Sequence, residues 1–300
     1  MQSPDDGSSP QKPSLLDPEN APPLPPGIWG RWATVTYVLP FVVYMFFTAL
    51  VEPRLETKEQ AYAPGGTMGP PMELDSKPLD RITHEQREER EERHGRMPYR
   101  LYGAVYAIKI AATVGAMILV LPGYLVFPLR INGIALLVGV VGVVAWIGLC
   151  KLNLEQKLLA PLGLGSLIDL GERPGFNPMK ELADNPTWAY SFLAIRLFGL
   201  ALVIPIIEEF FLRVFLVRFV MDVDWFKIPF GKVDRLGLIT SIAFPMLMHP
   251  AELFAAAAWF GMITWLMLRT RNIWDCVAAH AVTNALLGAY VITTGEWQFM

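Results

Sequence analysis

Apolar residues along this chain gather into seven runs, at about 33–50, 103–123, 133–150, 190–220, 236–248, 251–268 and 273–293, with polar or proline-bearing stretches between them. Runs near 20 residues predict membrane-crossing helices, because about 20 residues at 1.5 Å each span a hydrocarbon layer of roughly 30 Å. The fourth run is long enough for one tilted span or two broken pieces. Pro205 lies inside it and removes a backbone donor, so a kink is expected just before Glu208 and Glu209. The fifth run is short and carries Pro245, with Pro250 close behind. That predicts an irregular half-span, which is tolerated at membrane depth only under a cover of protein or beside a wet cavity. The expected fold class is all-α: a polytopic transmembrane helix bundle of about seven or eight spans enclosing a cavity. No internal repeat is visible.

Composition agrees with this pattern. The 300 residues are 53% hydrophobic with a mean hydropathy of +0.36, too apolar for an ordinary soluble domain of this length. The net charge of −3 gives no sign of a nucleic-acid partner. Cys150 and Cys276 lie in or beside apolar runs without CxxC spacing, so they are read as small buried hydrophobes rather than a disulfide or thiolate zinc site. Residues 1–30 are rich in Pro, Ser and Asp and have no basic segment leading into an apolar one, so a disordered tail is expected and a secretory signal is not.

Three regions follow: the tail (1–30), the N-terminal transmembrane helices with a charged loop at 51–102 (31–186), and a C-terminal core (187–300). The loop ends in HEQREEREERHGR, where pairs such as Glu89 with Arg93 suit a solvated helix. Its His84 and His94 do not form a zincin motif, because Glu88 stands where the second histidine of HExxH would be. Lys and Arg counts place the 51–102 and 151–186 loops on the cytoplasmic side, but strict alternation would then put Lys227, Lys232 and Arg235 outside. Either a span is miscounted or a segment such as 158–170 also enters the membrane.

Charge at bilayer depth costs about 2.5–3.5 kcal/mol per group on insertion scales, so each charged residue in an apolar run needs a reason. Lys109 and Arg218 sit near run ends and are expected to snorkel to the interface. Arg196 has both options, the interface or a carboxylate partner. Glu252 reads as an acid at a helix N-terminus. The remainder form three clusters. Glu209 and Arg213 are four apart and can pair on one helix face, while Glu208 points about 100° away. His280 and Asn284, in HAVTN, are also four apart. His249 ends FPMLMHP. A desolvated Glu208 carboxylate suits a general base acting on water, with His249 sharing the proton. His280 and Asn284 can donate hydrogen bonds to an oxyanion formed on a peptide carbonyl. The bland alternatives are a buried tie between helices for Glu–Arg and packing polarity for a lone His or Asn.

The order EEFFLR, then an isolated histidine after an aromatic residue, then HAVTN resembles the CAAX protease and bacteriocin-processing enzyme family, also called the abortive-infection family, whose motifs are EExxxR, FxxxH and HxxxN/D. Glu208, Glu209 and Arg213 fit the first motif, and His280 with Asn284 fit the third. The second departs: Pro245 occupies the Phe position, and Phe244 lies one residue early. The resemblance covers about 189–290. It implies a glutamate-type intramembrane endopeptidase in which Glu208 activates water with His249, while His280 and Asn284 form the oxyanion site and Glu209 and Arg213 support them. It implies no cofactor, a membrane-associated peptide or protein as substrate, the lipid bilayer as surroundings, and location in a bacterial inner membrane. One Glu and two His are also a legitimate zinc ligand set, which stands as the minor alternative. The competing functions are a proton-coupled membrane carrier, which lacks support from any repeat symmetry, and a catalytically silent membrane scaffold.

Overall fold

A computed structural model of the chain describes residues 21–72, 77–78, 83, 84, 86, 96–165 and 175–300. Among these there is no strand, only an isolated bridge between Leu55 and Met97. The principal helices are α1 (Ala33–Phe46), α2 (Tyr102–Leu119), α3 (Gly133–Leu152), α4 (Pro186–Phe198), α5 (Ile204–Glu209), α6 (Arg235–Leu247), α7 (Leu253–Thr270) and α8 (Ile273–Thr294). The fold is the expected helical bundle. Glu89, Arg93 and His94 of the charged loop lie outside the described residues, as do 1–20 of the tail and 166–170 of the candidate extra segment. Residues 21–30 are placed, and Pro25 is buried beside Gly123.

Among the described residues, five helical stretches are long and apolar enough to cross a membrane: Ala33–Arg54, Tyr99–Leu119, Gly133–Leu162, Pro250–Thr270 and Ile273–Thr294. The expected count of seven or eight is not confirmed among these residues, for two physical reasons. The fourth apolar run is helical throughout, but π-helical turns at Gly199–Val203 and Phe210–Leu216 divide it into short pieces. Helix α6, at 13 residues, is shorter than a crossing. The kink expected at Pro205 takes the form of the first π turn, in which the Ile204 N–H bonds to the Gly199 carbonyl five residues back.

Helix α3 shows how the bundle divides lipid from interior. Leu137 (62% exposed) and Val144 (68%) face outward, while Ala135, Gly139, Gly142 and Trp146 are buried. Without water to drive helices together, close approach of small residues does so. A Cβ at Gly139 would lie 2.7 Å from the Ala279 carbonyl oxygen, and one at Gly142 would lie 2.1 Å from Trp259 Cζ3 and 2.9 Å from Thr283 Oγ1. The Thr283 hydroxyl donates to the Gly139 carbonyl at 2.8 Å, tying α8 to α3. Gly142→Ala is therefore expected to destabilise the protein by about 1–3 kcal/mol through overpacking. Gly148→Ala, where nothing lies within 4 Å, is expected to be neutral or slightly stabilising. Thermal unfolding of the two variants in detergent checks the contrast.

Two aromatic clusters complete the interior. Phe210 packs against Tyr37, Tyr124, Phe127 and Trp274, with centroids 4.3–6.2 Å away. Tyr99, Tyr102, Tyr106, Phe176 and Phe192 form the second. The buried charges correct two sequence expectations. Lys109 is 3% exposed and pairs with Glu52 at 2.5 Å, with Tyr44 and Tyr106 rings over its ammonium, so it stays inside rather than snorkelling. Arg218 is 2% exposed and donates to the carbonyls of Val214 (3.0 Å), Phe226 (3.2 Å) and Ile228 (2.6 Å). Interior acceptors thus do for both what interfacial water would have done. Glu252 stands at the N-terminus of α7 as expected, though without a side-chain cap, and Glu155 adds a second acid there by accepting from the Phe254 N–H at 2.9 Å. Arg196, also buried, donates to main-chain oxygens of Phe176 and Met300 rather than reaching the interface. Cys276 is buried, Cys150 is partly so, and no disulfide joins them.

Candidate active site

Helix α5 ends at the paired glutamates, and the π turn that follows carries Arg213. Glu209 is fully buried. One carboxylate oxygen accepts from Arg213 Nε, and the other lies 2.9 Å from His280 Nδ1. A buried carboxylate is stable only when paired and fully hydrogen-bonded, and this one has a cation on one side and an imidazole on the other. Arg213 in turn donates through Nη1 to Thr264 Oγ1 at 3.1 Å, and Thr264 lies 3.1 Å from Ser241 Oγ. The pair expected from i,i+4 spacing is present, but it belongs to a longer chain that joins α5, α6, α7 and α8.

Because Glu209 is an acceptor, the proton of a neutral His280 ring sits on Nδ1, which leaves Nε2 facing the other way. Nε2 is 4.0 Å from Glu208 Oε2, beyond hydrogen-bond length. The rings of Trp259 and Phe260 enclose the imidazole at 6.0 and 6.2 Å. Glu208 is the less buried glutamate, with 23% of its side chain exposed, and it points away from the Arg213 pair, as the 100° offset requires.

His249 follows α6 in a turn. Its Nδ1 is 2.8 Å from the Pro245 carbonyl, four residues back, and its ring meets Trp146 (5.6 Å) and Phe260 (5.8 Å). This explains how the departure at 245 is accommodated. The position serves His249 through main chain, which a proline supplies as well as any residue, while the Phe244 ring packs 5.7 Å from Phe211.

Asn284 donates through Nδ2 to the Leu200 carbonyl at 2.9 Å. That acceptor has a local origin. In the π register the Leu200 carbonyl awaits the N–H of residue 205, and residue 205 is proline, which has none. The amide of Asn284 fills the gap, and one of its two N–H groups is thereby committed.

Glu208, His249, His280 and Asn284 all line one cavity of about 790 Å³, together with Trp146, Thr283 and, further out, Glu52, Lys109 and Arg196. Sequence spacing gave no sign of Thr264, Ser241, Trp146 or the Leu200 carbonyl, each of which reaches the site only through packing between helices. Among the described residues no three His, Cys, Asp or Glu side chains are grouped to hold a metal ion.

A helical membrane protein with acids, imidazoles and an amide around one interior cavity has the makings of an intramembrane hydrolase. Residues 190–286 match the family model described as Rce1-like, type II CAAX prenyl endopeptidase Rce1-like, so this region is similar to the CAAX proteases, a family of peptidases. No curated protein and no solved structure matches the chain.

Proposed function

We propose that this protein is a glutamate-type intramembrane endopeptidase that cleaves a peptide bond of a membrane-associated protein or peptide without a metal cofactor. The observation that carries the reading is the convergence of Glu208, His249, His280 and Asn284, from three separate elements, on one cavity. In the proposed reaction the Glu208 carboxylate takes a proton from water as the water oxygen bonds to the peptide carbonyl carbon, with His249 sharing that proton. The oxyanion is held by the uncommitted N–H of Asn284 and by His280 Nε2, which donates when the ring is protonated. Glu209 has a second task here beyond its tie to Arg213: its hydrogen bond fixes the ring of His280 and stabilises the imidazolium. The C–N bond then breaks, and the proton on Glu208 passes to the leaving nitrogen.

The family description concerns prenylated CAAX substrates, and a lipid-bearing C-terminal segment is one form the substrate can take here. A bacterial inner membrane is the setting in which the reading places the protein. The test is purified protein reconstituted in phosphatidylcholine vesicles with a library of membrane-anchored fluorogenic peptides, with and without a chelator. Cleavage that a chelator leaves unchanged is expected. Proton-driven uptake without any product would instead favour a carrier.

A further inference from the structure

Trp146 lies on α3, in the half of the chain that the family match does not reach. It shares a helix face with Gly139 and Gly142, three and four residues apart, the face that α3 presses onto α7 and α8. Those glycines let the helices approach closely enough for the indole to reach the cavity wall. There it is 6% exposed and packs edge-on with His249 at 5.6 Å and 83° between ring planes. Its indole N–H is buried and meets no acceptor among the described residues. Buried tryptophan normally finds a partner for this group, and an orphan donor beside His249 is a feature that packing does not explain.

An indole N–H can only donate, so what completes it must be an acceptor. A peptide entering the cavity brings such groups in its carbonyl oxygens. We propose that Trp146 is a further catalytic residue, its N–H hydrogen-bonding a substrate carbonyl oxygen at or beside the scissile bond, on the His249 side of the cavity. This inference rests on the peptidase reading above. It adds to the oxyanion site a donor supplied by α3, and it gives the N-terminal half a direct part in the chemistry.

The test uses the full chain in phosphatidylcholine vesicles and a membrane-anchored fluorogenic peptide that the unaltered protein cleaves. Trp146→Phe keeps an aromatic ring and removes the N–H. It is expected to lower kcat/KM by about 100-fold, mostly in kcat, the range seen when one oxyanion donor is lost. Trp265→Phe, at a site 51% exposed, is expected to leave cleavage unchanged. Since Phe is smaller, benzothienylalanine is also placed at 146, where sulfur replaces N–H in the same two-ring shape. Equal loss in that variant supports the assignment, and wild-type cleavage by it overturns the assignment even where Trp146→Phe fails to fold. Glu208→Gln in the same vesicles separates the two claims. If Glu208→Gln still cleaves, the peptidase mechanism is wrong; if it is blocked while the sulfur variant is fully active, only the role of Trp146 is lost.

Discussion

Glu208→Gln is expected to lower cleavage by about 10³-fold, within the 10²–10⁴ range for loss of a positioned general base, while the protein unfolds at an unchanged temperature. The two halves of this expectation have separate origins. Gln keeps the shape and the carbonyl oxygen of Glu but cannot take a proton from water at neutral pH. The carboxylate of Glu208 is partly exposed to the cavity and lies outside the Glu209–Arg213 pair, so its charge contributes less to holding helices together than that of Glu209. Kinetics of a reconstituted peptide substrate read the first half, and thermal unfolding in detergent reads the second. Retained cleavage would remove Glu208 from the mechanism whatever else the cavity does.

Arg213→Ala should behave in the opposite way, with loss of stability as the primary effect. It strips the cation from a carboxylate that has no access to solvent, and removing one partner of a buried pair costs about 3–5 kcal/mol. The Thr264 hydroxyl loses a donor at the same time, and the hold of Glu209 on His280 is left without its counter-charge. Replacing both partners with neutral groups, Glu209→Gln with Arg213→Met, should recover much of the stability, because no unpaired charge remains. It should not recover cleavage, since His280 then lacks the carboxylate that stabilises its protonated ring. A double variant as unstable as Arg213→Ala would show that shape, not charge, makes Arg213 necessary.

Much of the fold is legible from hydropathy alone. The apolar runs at 133–150 and 273–293 became Gly133–Leu152 and Ile273–Thr294, because lipid-facing and buried positions are both apolar and only the ends change character. The candidate residues could be read because charge in an apolar run is rare, and rarity makes Glu208, Glu209, His249, His280 and Asn284 stand out. Their partners could not be read in this way. Spacing puts Arg213 beside Glu209 but says nothing of His280, which is 71 residues away in sequence. Lys109 and Arg218 were expected at the interface because position within a run does not reveal that Glu52 or the carbonyls of 226–228 await them inside. Trp146 looks like any apolar residue until its buried N–H is found to meet no acceptor among the described residues.

The contact between Asn284 and the main chain at Leu200 makes the site sensitive to helical phase. Since the acceptor is a carbonyl, no side-chain change at 200 can delete it. Only the winding of that helix decides which oxygen lacks a donor. A slip of one residue would offer Asn284 an oxygen already bonded within the helix and would swing both glutamates by about 100°. The proline at 205 and the amide at 284 thus act as a vernier, setting the rotation at which Glu209 meets His280 and Glu208 meets the cavity.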